Sequence, residues 1–227
     1  PLTREGAVSF FGEVTAECAR FWREAGVDLA GYNTNESAAD INELRTLLGA
    51  QKMTLWGISY GTHLALATLK RYPQRIEKAV LSSLEGLDET VKLPADTDAF
   101  FARLQRTIDA DPTVARVYPD VAGTMRRVYA RLDAKPVTVS VKDPAGQEVM
   151  LTIGKYDLQL VTSGMISDPR SSASVPDLYA MMDGGDFSEA GKIVYGFLRR
   201  PGALAFGAME LAMDVASGIS PALSRLV

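Results

Sequence analysis

Two short apolar segments with a helical pattern between them give the clearest structural signal in the chain. The segments Met53–Ile58 and Ile76–Ser82 are short and largely apolar, which is typical of strands buried in a parallel sheet. Between them, residues 62–72 place Ala65 and Leu69 on one face of a helix. This strand–helix–strand order predicts a βαβ unit, for which a right-handed crossover is expected.

Two helices are predicted before this unit. The segment Arg4–Glu24 carries apolar side chains at helical spacing along one side. A variant of the capping box at residues 37–40 predicts that the next helix begins at Ser37. Ile41 and Leu44 then repeat at helical spacing, as the core-facing side of that helix requires.

The pattern changes in the second part of the chain. Two segments, 137–141 and 149–153, alternate apolar and polar positions, and the turn-forming sequence from Asp143 to Gly146 lies between them, so a hairpin is predicted. We therefore predict a partial α/β core over residues 1–87 and a mostly helical cap that contains the hairpin over residues 88–227. The helical patterns of the cap cover residues 96–111, 113–118, 121–132, 156–166, 175–182, 187–198 and 203–216.

The sequence Gly57-Ile58-Ser59-Tyr60-Gly61 joins the first predicted strand to its helix. A Gly-x-Ser-x-Gly pattern in this position indicates a nucleophile elbow, a turn so tight that it strains the serine backbone and exposes its hydroxyl. Ser59 is therefore predicted to be a catalytic nucleophile. The backbone N–H of Tyr60, at the start of the helix, is predicted to donate to an oxyanion.

A serine hydroxyl is a weak nucleophile without an adjacent base, which is normally a histidine held by a carboxylate. The chain contains one histidine, His63, about one turn beyond Ser59 on the same helix. We expect His63 to be a packing or lid-contact residue rather than the base. Two parallel strands would also leave both sheet edges open, so we expect the chain to be a piece of a longer protein.

The composition of the chain argues against a nucleic-acid-binding or membrane-spanning protein. Apolar residues make up 47% of the 227 positions and the formal net charge is −4, without a cluster of basic residues of the kind that binds nucleic acid. No apolar run approaches the length of about 18 residues that a membrane span needs. The expected partner is a small-molecule or peptide substrate. The oligomeric state and the compartment, exported or cytoplasmic, stay open.

No metal site and no cofactor are predicted. The two carboxylates in Asp183-Gly184-Gly185-Asp186 are interpreted as part of a turn, and no cluster of histidine, cysteine and aspartate has the spacing of metal ligands. Cys18 is the sole cysteine. It is interpreted as a buried thiol, with half of a disulfide as the alternative.

A set of short motifs runs along the first part of the chain: Gly31-Tyr32-Asn33-Thr34, Ser37-Ala38-Ala39-Asp40-Ile41, Leu44-Arg45, Leu48-Gly49, Gly57-Ile58-Ser59-Tyr60-Gly61-Thr62, Leu64-Ala65-Leu66, Arg71-Tyr72-Pro73 and Val80-Leu81. Together they resemble the proline iminopeptidase and tripeptidyl aminopeptidase (TAP-like) group of α/β-hydrolases. The resemblance is dense over residues 31–86 and looser through the predicted cap. It implies an α/β-hydrolase fold and a serine exopeptidase that removes residues from peptide amino termini, with Ser59 as nucleophile and the Tyr60 amide as oxyanion donor. The Gly-Gly-x-Gly loop, the aspartate and the histidine of that group have no matching position here.

An aminopeptidase must bind a positively charged amine, for which a carboxylate is the natural partner. Glu210 and Asp214 lie four residues apart on an otherwise apolar helix face and are predicted to bind the substrate amine; a solvated helix edge is the alternative interpretation. The predicted cap is also expected to form an apolar pocket above Ser59, walled by Phe100, Phe101, Met181, Met182 and Phe206.

Two other functions stay open. An esterase or another small-molecule hydrolase could use the same scaffold, because a fold does not fix the substrate. A non-catalytic protein that binds peptides is the third hypothesis, and the lack of an eligible base histidine favours it.

Overall fold

The computed structural model describes residues 2–88, 93–200, 207–218, 220–221 and 225. The chain forms two compact units. One, the elbow unit, comprises Thr15–Leu93 and Phe206–Val227; the other, the hairpin unit, comprises Pro1–Val14 and Pro94–Ala205. The two-domain boundary predicted near residue 87 stays a prediction.

Four strands and eleven α-helices are described. The strands are β1 (Met53–Ile58), β2 (Ile76–Ser82), β3 (Val137–Lys142) and β4 (Glu148–Ile153). The helices are α1 (Arg4–Glu24), α2 (Thr34–Leu47), α3 (Tyr60–Arg71), α4 (Pro94–Asp109), α5 (Pro112–Val117), α6 (Val121–Ala134), α7 (Lys155–Met165), α8 (Pro169–Ser172), α9 (Val175–Asp183), α10 (Ser188–Val194) and α11 (Ala208–Ser217). A π-helical segment, Tyr195–Arg199, follows α10.

The elbow unit is built on a parallel pair of strands. β1 pairs with β2 so that Leu55 lies opposite Ala79 and Gly57 lies opposite Leu81, and α3 connects the two strands. Both strands have the bounds that the apolar pattern predicts, which confirms the βαβ unit. Within the described residues the sheet has these two strands, and they leave Trp56 80% exposed and Val80 58% exposed.

The buried face of α3 differs from the predicted one. Thr62, Ala65 and Thr68 are buried, whereas Leu69 is half-buried. The two threonines are accommodated because each hydroxyl donates to a backbone carbonyl of the preceding turn: Thr62 to Ser59 at 2.8 Å, and Thr68 to Leu64 at 2.7 Å. Apolar spacing alone therefore located the helix but misjudged the centre of its packed face.

The start of α2 was also predicted wrongly. The helix begins at Thr34 rather than at Ser37, because Asn33 has extended backbone angles and its side chain accepts a hydrogen bond from the Glu36 N–H at 3.0 Å. The N–H of Ser37 already donates to the carbonyl of Asn33. The asparagine is thus the cap, and residues 37–40 lie inside the helix.

The hairpin unit contains the expected antiparallel hairpin. β3 pairs with β4 so that Val139 lies opposite Leu151. In the turn, the Asp143 carboxylate accepts hydrogen bonds from the backbone N–H groups of Ala145 and Gln147. One face of the hairpin packs against α10 so closely that a Cβ at Gly191 would lie 2.5 Å from a methyl carbon of Val139.

The core of this unit contains a hydrogen-bonded tyrosine. Tyr179 is completely buried, and its hydroxyl is bonded to the hydroxyls of Tyr129 at 2.7 Å and Thr162 at 2.8 Å. Burial raises the pKa of Tyr179 and of Tyr129, so both phenols keep their protons as donors. Every polar atom of this buried group has a partner, as low-polarity surroundings require.

Two methionines that were predicted to wall one pocket differ in burial. Met182 is completely buried in the core of the hairpin unit, whereas Met181 is 40% exposed, so these neighbours do not share one wall. Phe206 lies outside the described residues. The position of a pocket relative to Ser59 stays a prediction.

The described residues include no helix that is both long and apolar enough to cross a membrane. Over the same residues, no group of three or more histidine, cysteine or acidic side chains is arranged to hold a metal ion. Cys18 is a half-buried free thiol beside an apolar cavity of about 300 Å³ that Trp22, Leu29 and Leu211 also line.

A buried ion pair gives the hairpin unit a testable stability requirement. The Asp157 carboxylate is fully buried, accepts from the Gly154 N–H at 2.9 Å and pairs with Arg199. Arg199→Ala leaves that carboxylate without its cation, and we expect the free energy of unfolding to fall by about 3 kcal/mol. Chemical denaturation measures this loss.

The control is Arg170→Ala, which removes an exposed ion pair with Asp168. It should cost less than about 1 kcal/mol, because water screens the exposed charges. Equal effects of the two substitutions would contradict a special role for the buried pair.

Candidate active site

The turn between β1 and α3 has the geometry that the sequence predicts. Ser59 is the single residue between the two elements, and its backbone angles are φ 55° and ψ −128°, in a region that non-glycine residues rarely occupy. Its N–H donates to the carbonyl of Ser82 at 3.2 Å, which continues the β1–β2 pairing through the turn. The strained backbone and the exposed side chain are thus present, while the role of Ser59 as nucleophile stays a prediction.

The two glycines of the elbow are not equivalent. A Cβ at Gly57 would lie 2.4 Å from the carbonyl oxygen of Gly61, a distance that Cβ atoms do not tolerate. A Cβ at Gly61 would meet no described atom within 4 Å beyond its chain neighbours and the backbone of its own helix. Only Gly57 is therefore required for the close approach of strand and helix in this structure.

The Ser59 hydroxyl has a carboxylate partner. It donates to Oε1 of Glu85 at 3.0 Å. Glu85 lies just beyond the carboxyl end of β2, and its backbone N–H donates to the hydroxyl of the buried Thr62 at 2.7 Å. Since the Thr62 hydroxyl also donates to the Ser59 carbonyl at 2.8 Å, the three residues form a closed hydrogen-bonded ring.

His63 belongs to the same region but has other partners. Its Nδ1 lies 2.5 Å from the carbonyl oxygen of Gly86, so Nδ1 carries the hydrogen, because a carbonyl only accepts. The imidazole ring also stacks on the ring of Tyr60, with the centroids 5.8 Å apart. The structure thus gives His63 packing and loop-anchoring contacts, and the hydrogen bond of the Ser59 hydroxyl goes to Glu85.

Tyr60 is the first residue of α3. Its backbone N–H is one of the donors that have no partner inside a helix, and the helix dipole favours negative charge at this end. Its phenol lies 3.2 Å from the hydroxyl of Thr34 at the start of α2. The predicted role of the Tyr60 amide as oxyanion donor is compatible with this placement and stays a prediction.

The predicted amine-binding carboxylates lie on α11, in the elbow unit. Glu210 and Asp214 are both exposed, and the Glu210 carboxylate accepts from the Gly207 N–H at 3.4 Å, which caps its own helix. The most extensive described contacts of α11 are with α2 and with the 3₁₀ turn Leu29–Gly31. Substrate binding by these two carboxylates stays a prediction.

An open groove of about 1000 Å³ adjoins this region. Its lining includes His63, which follows Thr62 in sequence, and Leu87, two positions after Glu85. Lys70, Arg71 and Glu36 also line it. The groove lies within the elbow unit and has a mixed polar and apolar lining.

Sequence reasoning missed Glu85. A signal was available, because Glu85 follows the end of β2 as Ser59 follows the end of β1, and the carboxyl ends of adjacent parallel strands meet at one sheet edge. Between β2 and Glu85 lies Ser83, a non-glycine residue with φ 55°. Nothing in the apolar pattern indicates that conformation.

The asymmetry of the elbow glycines can be tested by substitution. Gly57→Ala should lower the free energy of unfolding by about 1–3 kcal/mol, because the new methyl group collides with backbone rather than with a movable side chain. Gly61→Ala is the matched control and should change stability by less than about 1 kcal/mol, since the site has room. Thermal unfolding followed by circular dichroism compares the two, and equal losses would contradict the contact.

Comparison with known proteins agrees with this geometry. A family model described as the alpha/beta hydrolase fold matches residues 15–155. No match is found among curated proteins. The match covers more than half of the chain and includes β1, the elbow, α3 and β2. The chain therefore belongs to the alpha/beta hydrolase fold family.

Proposed function

We propose that this protein is a serine hydrolase in which Ser59 forms an acyl-enzyme. Family membership assigns the chain to the hydrolases in general. The observation that supports the specific proposal is the strained turn at Ser59, which leaves an exposed hydroxyl at the start of α3. Because such a conformation costs about 1–3 kcal/mol, its presence on a serine at a strand–helix junction favours a functional role.

The proposed reaction follows from the groups at the elbow. The Ser59 oxygen attacks the substrate carbonyl carbon, a C–O bond forms, and the hydroxyl proton passes to a general base. The carbonyl oxygen becomes an oxyanion that the Tyr60 N–H is placed to stabilise. The leaving group then departs with a proton, and water hydrolyses the resulting ester to regenerate the serine.

We propose an amino-terminal peptidase as the substrate class. The motifs over residues 31–86 support it, since they resemble those of aminopeptidases of this fold. A groove of mixed polarity next to the elbow also suits a peptide. Within this proposal Glu210 and Asp214 remain candidates for binding the substrate amine.

A non-catalytic peptide-binding protein is the second candidate. One observation favours it: the sole histidine is bonded through Nδ1 to Gly86, and the hydroxyl of Ser59 is bonded to Glu85 rather than to an imidazole. Under that hypothesis the groove binds peptides and Ser59 is chemically inert.

Covalent labelling separates these candidates. An uncharged fluorophosphonate should form a P–O bond with Ser59 and lose fluoride, adding one adduct to the intact mass, with peptide mapping to residue 59. Ser59→Ala should abolish labelling, whereas Ser140→Ala, on the exposed side of the hairpin, should label like the unaltered protein. An unlabelled Ser59 in the folded, intact protein would reject the hydrolase proposal.

Substrates that differ in their leaving group distinguish a peptidase from an esterase. If the protein is a peptidase, aminoacyl anilides and matched aminoacyl esters should both be hydrolysed, and blocking the amino group should lower kcat/KM for each. An esterase should hydrolyse the esters alone and tolerate an acetylated amine. The initial rates of hydrolysis are compared for the anilide and the ester, each with a free and with a blocked amino group. The rates of the Ser59→Ala variant are subtracted as background.

A further inference from the structure

Glu85 presents negative charge beside the proposed nucleophile. One carboxylate oxygen accepts from Ser59, and a carboxylate has room for further donors. Among the residues that the structure describes, no lysine, arginine or histidine side chain forms an ion pair with Glu85. The side chain is half-buried, so its charge is only partly screened by water.

An uncompensated carboxylate in this position opposes the proposed reaction. Negative charge develops on the attacking oxygen and then on the substrate carbonyl oxygen, both within a few ångströms of Glu85. A positive group on the substrate would remove this repulsion and would gain a charge-assisted hydrogen bond. An anionic or neutral substrate would gain neither, so the carboxylate discriminates against it.

The distances fit a cation close to the scissile bond. In an amino-terminal residue the ammonium nitrogen lies about 2.5 Å from its own carbonyl carbon. Attack places that carbon about 3–3.5 Å from the serine oxygen. An ammonium–carboxylate hydrogen bond of about 2.8 Å then joins the substrate to an acceptor that lies 3.0 Å from the Ser59 oxygen.

The same distances exclude a more remote ammonium. If three residues were removed together, the amino terminus would lie two residues farther from the scissile carbonyl, roughly 7 Å in an extended peptide. Glu85 is not free to move toward such a distant ammonium group, because its backbone N–H donates to the buried hydroxyl of Thr62. The next residue, Gly86, is also held, through its carbonyl, by His63.

We propose that Glu85 is a specificity-determining residue that binds the free ammonium group of a single amino-terminal residue next to the scissile carbonyl. The inference rests on the proposed function of Ser59, which supplies the reacting site. It assigns amine recognition to the loop after β2 rather than to Glu210 and Asp214 on α11.

Equilibrium binding tests the proposal without requiring turnover. Alaninamide and N-acetylalaninamide differ in the ammonium group, and calorimetric titration or NMR shift titration should show that the unaltered protein prefers alaninamide by roughly tenfold. Glu85→Gln keeps an acceptor for the Ser59 hydroxyl but removes the charge, and should reduce this preference to about onefold. Glu77→Gln, an exposed position on β2, changes the net charge equally and should retain the preference.

The result that overturns the proposal is equal affinity for the two amides in the unaltered protein, whatever the variants do. A preference that survives Glu85→Gln in folded protein also overturns it and points to another carboxylate. Labelling of Ser59 by the uncharged fluorophosphonate is measured in parallel. If labelling fails but alaninamide is still preferred in a Glu85-dependent way, the hydrolase proposal is rejected and the proposal of an amine site at Glu85 is retained.

Discussion

The backbone contact between Gly57 and Gly61 is the constraint on which the candidate site depends. A strand and a helix can be joined by one residue only if their backbones nearly touch, and here a single added carbon would lie 2.4 Å from the Gly61 carbonyl oxygen. That closeness forces φ 55° on Ser59 and turns its hydroxyl outward. The ring of hydrogen bonds through Thr62 then brings Glu85 to the same edge of the sheet, so the local chemistry follows from one steric requirement.

The sequence predicted the parts of the fold that depend on local patterns. β1 and β2 were located at their observed bounds because a short apolar run between polar turns has few alternatives. The elbow was located because its pattern lies between a strand and a helix. The cap of α2 was misplaced, since two polar residues, Asn33 and Ser37, both suit that role and only the backbone angle of Asn33 decides between them.

The rest of the candidate site depends on contacts between distant residues. Glu85 lies 26 positions after Ser59, and its backbone is held by a hydroxyl buried in α3. The intervening Ser83 has φ 55°, a conformation that the sequence does not indicate. Thr62 and Thr68 occupy the packed face of α3, where apolar residues were expected, because helix carbonyls satisfy their hydroxyls. No pattern of hydrophobic positions encodes these pairings, so they can be identified only from the three-dimensional structure.

The exposed side chains of the two-stranded sheet have a consequence for handling the protein. Trp56 and Val80 face water from adjacent parallel strands, and the outer backbone groups of a sheet edge attract further strands. Molecules that present such a surface tend to associate as their concentration rises. We therefore expect the purified chain to self-associate as its concentration rises. The exposed indole of Trp56 is accessible to quenchers, and its loss of accessibility would report the onset of that association.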